Sequence, residues 1–136
     1  MARKWLSRRQ FLSNASVAAA GLGLSATVVR GAPGANERIS VGMIGVGGKG
    51  SDHLTSLTKL TDGQNVRVTA VCDVWQVNLK AAAVTASKAF RAQPRTFTRF
   101  GELLERKDID AVTIATPDFS HGPILVAALK AGKDVY

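Results

Sequence analysis

Three groups of residues in this chain have types and spacings suited to holding a ligand, and the first is a turn rich in glycine. Gly45-Val46-Gly47-Gly48-Lys49-Gly50 follows the apolar run Ile39-Ser40-Val41-Gly42-Met43-Ile44 in a Gly-x-Gly-x-x-Gly spacing. A pyrophosphate there needs each glycine differently. Gly45 permits the tight turn, Gly47 lets backbone N–H groups approach the phosphates, and Gly50 lets the next helix pack closely on the strand. A helix starting at this point turns its unpaired N–H groups toward the anion. With 13 glycines among 136 residues, the same spacing also suits an ordinary surface turn, and spacing alone does not separate the two.

The second group centres on a carboxylate. Val66-Arg67-Val68-Thr69-Ala70-Val71-Cys72 is rich in β-branched residues and ends on Asp73, 23 residues after Gly50 and 28 after Gly45. An acid placed there accepts hydrogen bonds from an adenosine ribose and repels a 2′-phosphate, so the expected cofactor is NAD in preference to NADP. A solvated acid at a strand end is the plainer alternative. Trp75 can flank an adenine or simply pack.

The third group, Thr116-Pro117-Asp118-Phe119-Ser120-His121, leaves an apolar run at its carboxyl end. Proline holds such a loop open because it lacks an N–H, while Thr, Asp, Ser and His offer hydrogen-bonding groups. A methyltransferase also combines a glycine loop with an acid after strand two, but this third loop argues against that chemistry. Cys72 is the single cysteine; inside an apolar strand it reads as an inert core thiol. His53 has no second metal-type residue four positions away and reads as a packing or solvated histidine, so no metal site is expected.

The elements that must position these groups follow from periodicity. Ile39–Ile44 suits a first buried strand, and leucines at 54, 57 and 60 mark one face of the helix after the glycines, which stops at Thr61-Asp62-Gly63. Val66–Asp73 suits a second strand, Gln76–Arg91 an alanine-rich helix, Arg95–Phe100 a third strand, Glu102–Arg106 a short helix and Ala111–Thr116 a buried fourth strand. Gly122-Pro123 is expected to start a helix over Ile124–Ala131, before a fifth strand at Asp134-Val135-Tyr136. Alternating strands and helices predict an α/β fold with a doubly wound parallel sheet.

The formal charge of +8 suggests a nucleic-acid binder until the charges are located. Arg3, Lys4, Arg8, Arg9 and Arg30 precede the first acid, Glu37, and from there on 13 basic residues face 10 acidic ones. No basic stripe remains to track a phosphate backbone, so nucleic acid is not an expected partner. The first 36 residues divide into a basic start, a mildly apolar middle from Val17 to Val29, and the small-residue tail Gly31-Ala32-Pro33-Gly34-Ala35. That middle is too short for a stable membrane span, which needs ~20 residues. Ser7-Arg8-Arg9-Gln10-Phe11-Leu12 resembles the twin-arginine signal of bacterial export, whose machinery (Tat) passes folded proteins. A basic amphipathic helix on a membrane surface is the alternative. The expected organisation is therefore a signal peptide and linker over 1–36, a dinucleotide-binding domain over 37–136, and a periplasmic location.

Several of these features, with the run from Gly101-Glu102-Leu103-Leu104 through Asp108-Ile109-Asp110-Ala111-Val112 and with Ala131-Gly132-Lys133-Asp134-Val135, resemble the N-terminal half of the Gfo/Idh/MocA oxidoreductases. The resemblance covers residues 39–136 and implies a Rossmann domain. It implies that Gly45, Val46, Gly47, Gly48 and Gly50 form the pyrophosphate loop, that Asp73 holds the adenosine ribose, and that Thr116, Pro117 and His121 line the nicotinamide end. It also implies that a Glu-Lys-Pro motif with the catalytic lysine, and a second α/β domain for a sugar or polyol, lie beyond Tyr136. On that expectation the chain is a fragment with an incomplete sheet, without catalytic residues and inactive alone, cut from a parent that is a homo-oligomer. The family's NAD-dependent glycosidases stay open as a related activity, and a non-catalytic nucleotide-binding module as an unrelated one.

Overall fold

The computed structural model describes residues 38–60 and 65–136, and the expectations for residues 1–36 lie outside them. Strand β1 (Ile39–Ile44) leads into helix α1 (Gly48–Thr58), β2 (Val66–Cys72), α2 (Gln76–Phe90) and β3 (Arg95–Phe97). There follow α3 (Phe100–Leu104), β4 (Ala111–Ile114), α4 (Asp118–Lys130) and β5 (Asp134–Val135). The five strands form one parallel sheet in the order β3-β2-β1-β4-β5. The order reverses at β1, so the carboxyl ends of β1 and β4 flank the crevice where open α/β sheets hold ligands.

Alternation along the strands builds a core on each face. Met43, Val68 and Val71 pack under α1 and α2 against Leu54, Leu79, Ala82, Ala83, Ala86 and Phe90. Ile44, Ala70, Cys72, Val112 and Ile114 pack under α3 and α4 against Leu103, Leu104, Ile124 and Ala128. The alanines that make α2 a good helix former also let it lie close to the sheet. Val41 is opposite Val68 but Gly42 is opposite Ala70, so Thr69 is an extra residue in β2, a bulge that keeps the later β2 side chains on their proper faces.

The expected α/β architecture is present, with differences at element ends. The third strand stops at Phe97 rather than Phe100, because its only partner, β2, ends at Cys72, opposite Phe97, and Phe100 opens α3. The last helix starts at Asp118 instead of after Gly122-Pro123. Pro117 caps it, its carbonyl accepting the N–H groups of Ser120 at 2.9 Å and His121 at 3.1 Å. Pro123 lies within the helix at a stretch where Phe119, Gly122 and Pro123 itself are exposed, so water can serve the Phe119 carbonyl that the proline leaves without an N–H. Ser120 and His121 are therefore helical, not part of a loop.

Lys133 is buried on the far side from that helix start. Its ammonium donates to the carbonyls of Arg106 at 2.5 Å and Ile109 at 2.8 Å, tying the segment after α3 to the start of β5.

Candidate functional site

The turn after β1 is shaped by three glycines in three ways. Gly45 has φ +79°, a left-handed conformation, and its N–H bonds the Cys72 carbonyl at 2.8 Å, prolonging the β1–β2 ladder by one rung. Gly50 sits so close to the Gly45 carbonyl that a Cβ there would overlap it. A Cβ on Gly47 would collide with the side-chain amide of Asn78. Gly48, at φ +37°, is the first residue of α1 and faces open space.

Helix α1 begins with Gly47 as its N-cap, without a capping side chain and without an acid in its first turn. Its leading N–H groups therefore have no side-chain acceptor, which is the electrostatic condition for binding an anion.

Asp73 stands just past β2 and reaches back to the turn. Its Oδ2 accepts the Val46 N–H at 2.9 Å and its Oδ1 accepts the Trp75 N–H at 2.8 Å. A carboxylate offers about four acceptor positions, so lone pairs remain on both oxygens for hydroxyl donors. Cys72 beside it is a buried thiol pushed up to about 11 from 9.0, first by burial and then by the charges of Asp73 and Glu102. It is not a nucleophile at neutral pH.

Beyond β4 the chain turns at Ala115 and Thr116, with the Ala115 N–H bonded to the Ile44 carbonyl at 2.9 Å. The Thr116 hydroxyl is buried and has no partner. Such a group costs stability unless something satisfies it.

These segments border one cleft of about 900 Å³, a size suited to a small-molecule cofactor. Gly45, Gly47, Gly48, Asp73, Thr116, Pro117 and His121 line it. Val46 and Gly50 do not; both are buried and act from behind, one through its bond to Asp73 and the other by letting α1 approach. Trp75 also lines the cleft, as do Asn78, Phe100 and Phe119, which sequence reasoning left unassigned. Asn78 stands five residues after Asp73 in the first turn of the next helix, where nothing in the sequence marks it out from other polar residues. A donor-lined turn, an uncapped helix start and an orphaned hydroxyl at one sheet edge fit a dinucleotide. Among the described residues no cluster of His, Cys, Asp and Glu could hold a metal ion, and no helix is long and apolar enough to cross a membrane.

Comparison with known proteins agrees with this geometry. Residues 39–136 match the Gfo/Idh/MocA family, described as an oxidoreductase family with an NAD-binding Rossmann fold. A glycosyl hydrolase family 109 protein of Saccharopolyspora erythraea is 33% identical over 150 aligned positions, covering 95% of this chain and 32% of that protein. An alpha-N-acetylgalactosaminidase of Shewanella oneidensis is 34% identical over 104 positions, covering 74% of this chain and 22% of its own length. Among solved structures, scyllo-inositol dehydrogenase from Lactobacillus casei with bound NAD(H) and scyllo-inositol superposes with a TM-score of 0.60 at 31% identity, covering 72% of this chain and 27% of that one. The chain thus spans about a third or less of the length of these relatives. It belongs to the Gfo/Idh/MocA oxidoreductase family, whose NAD-binding Rossmann domain residues 39–136 form.

Proposed function

We propose that this chain is the NAD-binding part of an exported enzyme acting on a sugar or polyol, with a hydride passing between a substrate carbon and the cofactor. One observation carries the reading: the Gly45–Gly50 turn, the Asp73 carboxylate and the orphaned Thr116 hydroxyl converge on a single cleft. Bound NAD supplies the hydride chemistry. The chain's own residues bind and orient. The start of α1 faces the pyrophosphate, Asp73 accepts from the ribose hydroxyls and disfavours a 2′-phosphate, and Thr116, Pro117 and His121 border the nicotinamide end. Substrate contacts and the acid/base groups come, on this reading, from a second α/β domain.

Export is supported by the Ser7–Leu12 twin-arginine pattern. A compartment poor in free NAD favours a cofactor loaded before export and held through many turnovers. Cleavage of a glycoside by transient oxidation is the second reading, and the names of the Saccharopolyspora and Shewanella relatives favour it. On that reading bound NAD would supply a reversible oxidation with no net change in the cofactor, a known exception to two-carboxylate glycoside hydrolysis.

The test is to purify the full-length protein, look for bound nicotinamide by absorbance and mass, and incubate it with sugars and glycosides. Net reduction of NAD marks a dehydrogenase, whereas release of free sugar without net reduction marks a glycosidase. A protein that contains no NAD and gains no thermal stability from it overturns both.

A further inference from the structure

We propose that Asn78 is a positioning residue for the dinucleotide, its side-chain amide donating a hydrogen bond to the phosphates held at Gly47. The inference rests on the NAD-binding reading above and adds a residue to it. Asn78 lies in the first turn of α2, five residues past Asp73, and lines the cleft. Its Nδ2 lies 2.4 Å from where a Gly47 Cβ would be, so the bare backbone of Gly47 lets the amide sit directly against the turn. The side chain is half-buried and makes no hydrogen bond with any described residue, so both amide donors are unspent.

The neighbouring groups define what those donors are for. Asp73 is acceptor-only when ionised, and its two oxygens already take the N–H groups of Val46 and Trp75, so it suits hydroxyl donors and repels phosphate. Lys49 is 86% exposed and pairs with Asp52 at 3.7 Å, its charge held at the surface. Lys49 also lines the cleft from the turn, so Asn78 is the neutral side-chain donor set against Gly47. A hydrogen bond from a neutral amide to a phosphate oxygen is charge-assisted, which makes it one of the stronger kinds. The ligand class it reads is the diphosphate of an adenine dinucleotide, at the junction between the ribose held by Asp73 and the start of α1.

Calorimetric titration of the full chain with NAD, ADP and adenosine tests this, using wild type, Asn78→Ala and Asn78→Asp. Asn78→Ala should weaken NAD and ADP by about tenfold, the loss expected for a hydrogen bond to a charged group, and leave adenosine unchanged. Asn78→Asp keeps the shape but sets a negative charge against the phosphates, so it should weaken ADP further and still spare adenosine. The split between ADP and adenosine is a readout that a purely structural role would not move. Equal losses for both ligands, or no loss for either, overturn the proposal. Should Asn78→Ala fail to fold, the isosteric Asn78→Asp carries the same comparison alone. A wild-type chain that binds none of the three overturns the NAD reading instead.

Discussion

Val46 donates its backbone N–H to Asp73 Oδ2 at 2.9 Å, across 27 residues of chain. The bond joins the glycine turn to the end of β2, so the group proposed to bind the ribose also fixes the loop proposed to bind the phosphates. Asp73→Ala leaves a donor unsatisfied on a residue only 3% exposed, which costs about 1–3 kcal/mol. Urea denaturation should show the loss, and NAD titration should show weakened binding. Asp73→Asn removes the charge and should narrow the preference for NAD over NADP. Unchanged stability and unchanged NAD affinity in Asp73→Ala would contradict the dual role.

Two glycines of the turn should respond differently to alanine. At Gly50 the new methyl meets the Gly45 carbonyl, and relieving the overlap requires α1 to move off β1. Overpacking of this kind costs about 1–3 kcal/mol, and the shifted helix start should bind NAD poorly. At Gly48 the methyl meets nothing, so the cost is the left-handed backbone alone, about 1 kcal/mol. Denaturant midpoints in the reverse order would refute this account of the turn.

Lys133→Met keeps the aliphatic length of the side chain and removes its donors. The carbonyls of Arg106 and Ile109 then lose their shared partner. A loss of about 1–3 kcal/mol in unfolding free energy is expected, with NAD affinity little altered because Lys133 does not line the cleft. A variant as stable as wild type would show that water replaces the ammonium without cost.

Cys72 offers a pH readout. Its folded-state pKa is raised to about 11 from 9.0, so the folded chain keeps a proton that the unfolded chain releases. The preference for the folded state is intact below 9.0 and is lost as pH rises toward 11. Thiol reagents should label native protein slowly in mildly alkaline buffer and denatured protein quickly, and Cys72→Ala should remove part of the alkaline decline in stability. Rapid labelling of the native protein would show that the thiol is accessible.

The order of elements and the parallel sheet were legible in the sequence because β1, β2 and β4 are short runs rich in β-branched residues, each closed by a polar or glycine-rich turn and separated by helical stretches. Element ends were less so. Gly122-Pro123 carries the marks of a helix start, yet the capping carbonyl of Pro117 and the exposure around Phe119 let the helix begin a full turn earlier. The bulge at Thr69 is hidden because Val66-Arg67-Val68-Thr69 alternates and Ala70-Val71-Cys72 is apolar throughout, so the change of register at their junction leaves no mark in the pattern. Asn78 was invisible as a site residue for a different reason: it looks like any polar residue in a first helical turn, and meets Gly47 only when α2 packs beside α1. The carboxylate and the glycines could be paired by spacing, but the bond from Val46 that joins them could not.

The sheet order also divides the cleft by when its parts come together. Gly45, Val46 and Asp73 all belong to the first strand-helix-strand unit, closed by pairing β1 with β2. Thr116 arrives only when β4 docks on the other edge of β1, where Asp110 Oδ2 accepts the Ser40 N–H at 2.7 Å over a separation of 70 residues. Closing that longer loop carries the greater entropic cost and belongs to the slower part of assembly. The part of the cleft made by the Gly45 turn and Asp73 therefore rests on contacts within one strand-helix-strand unit, whereas the part at Thr116 needs β4 in place, so a ligand that touches both would tie the stability of the two halves of the sheet together.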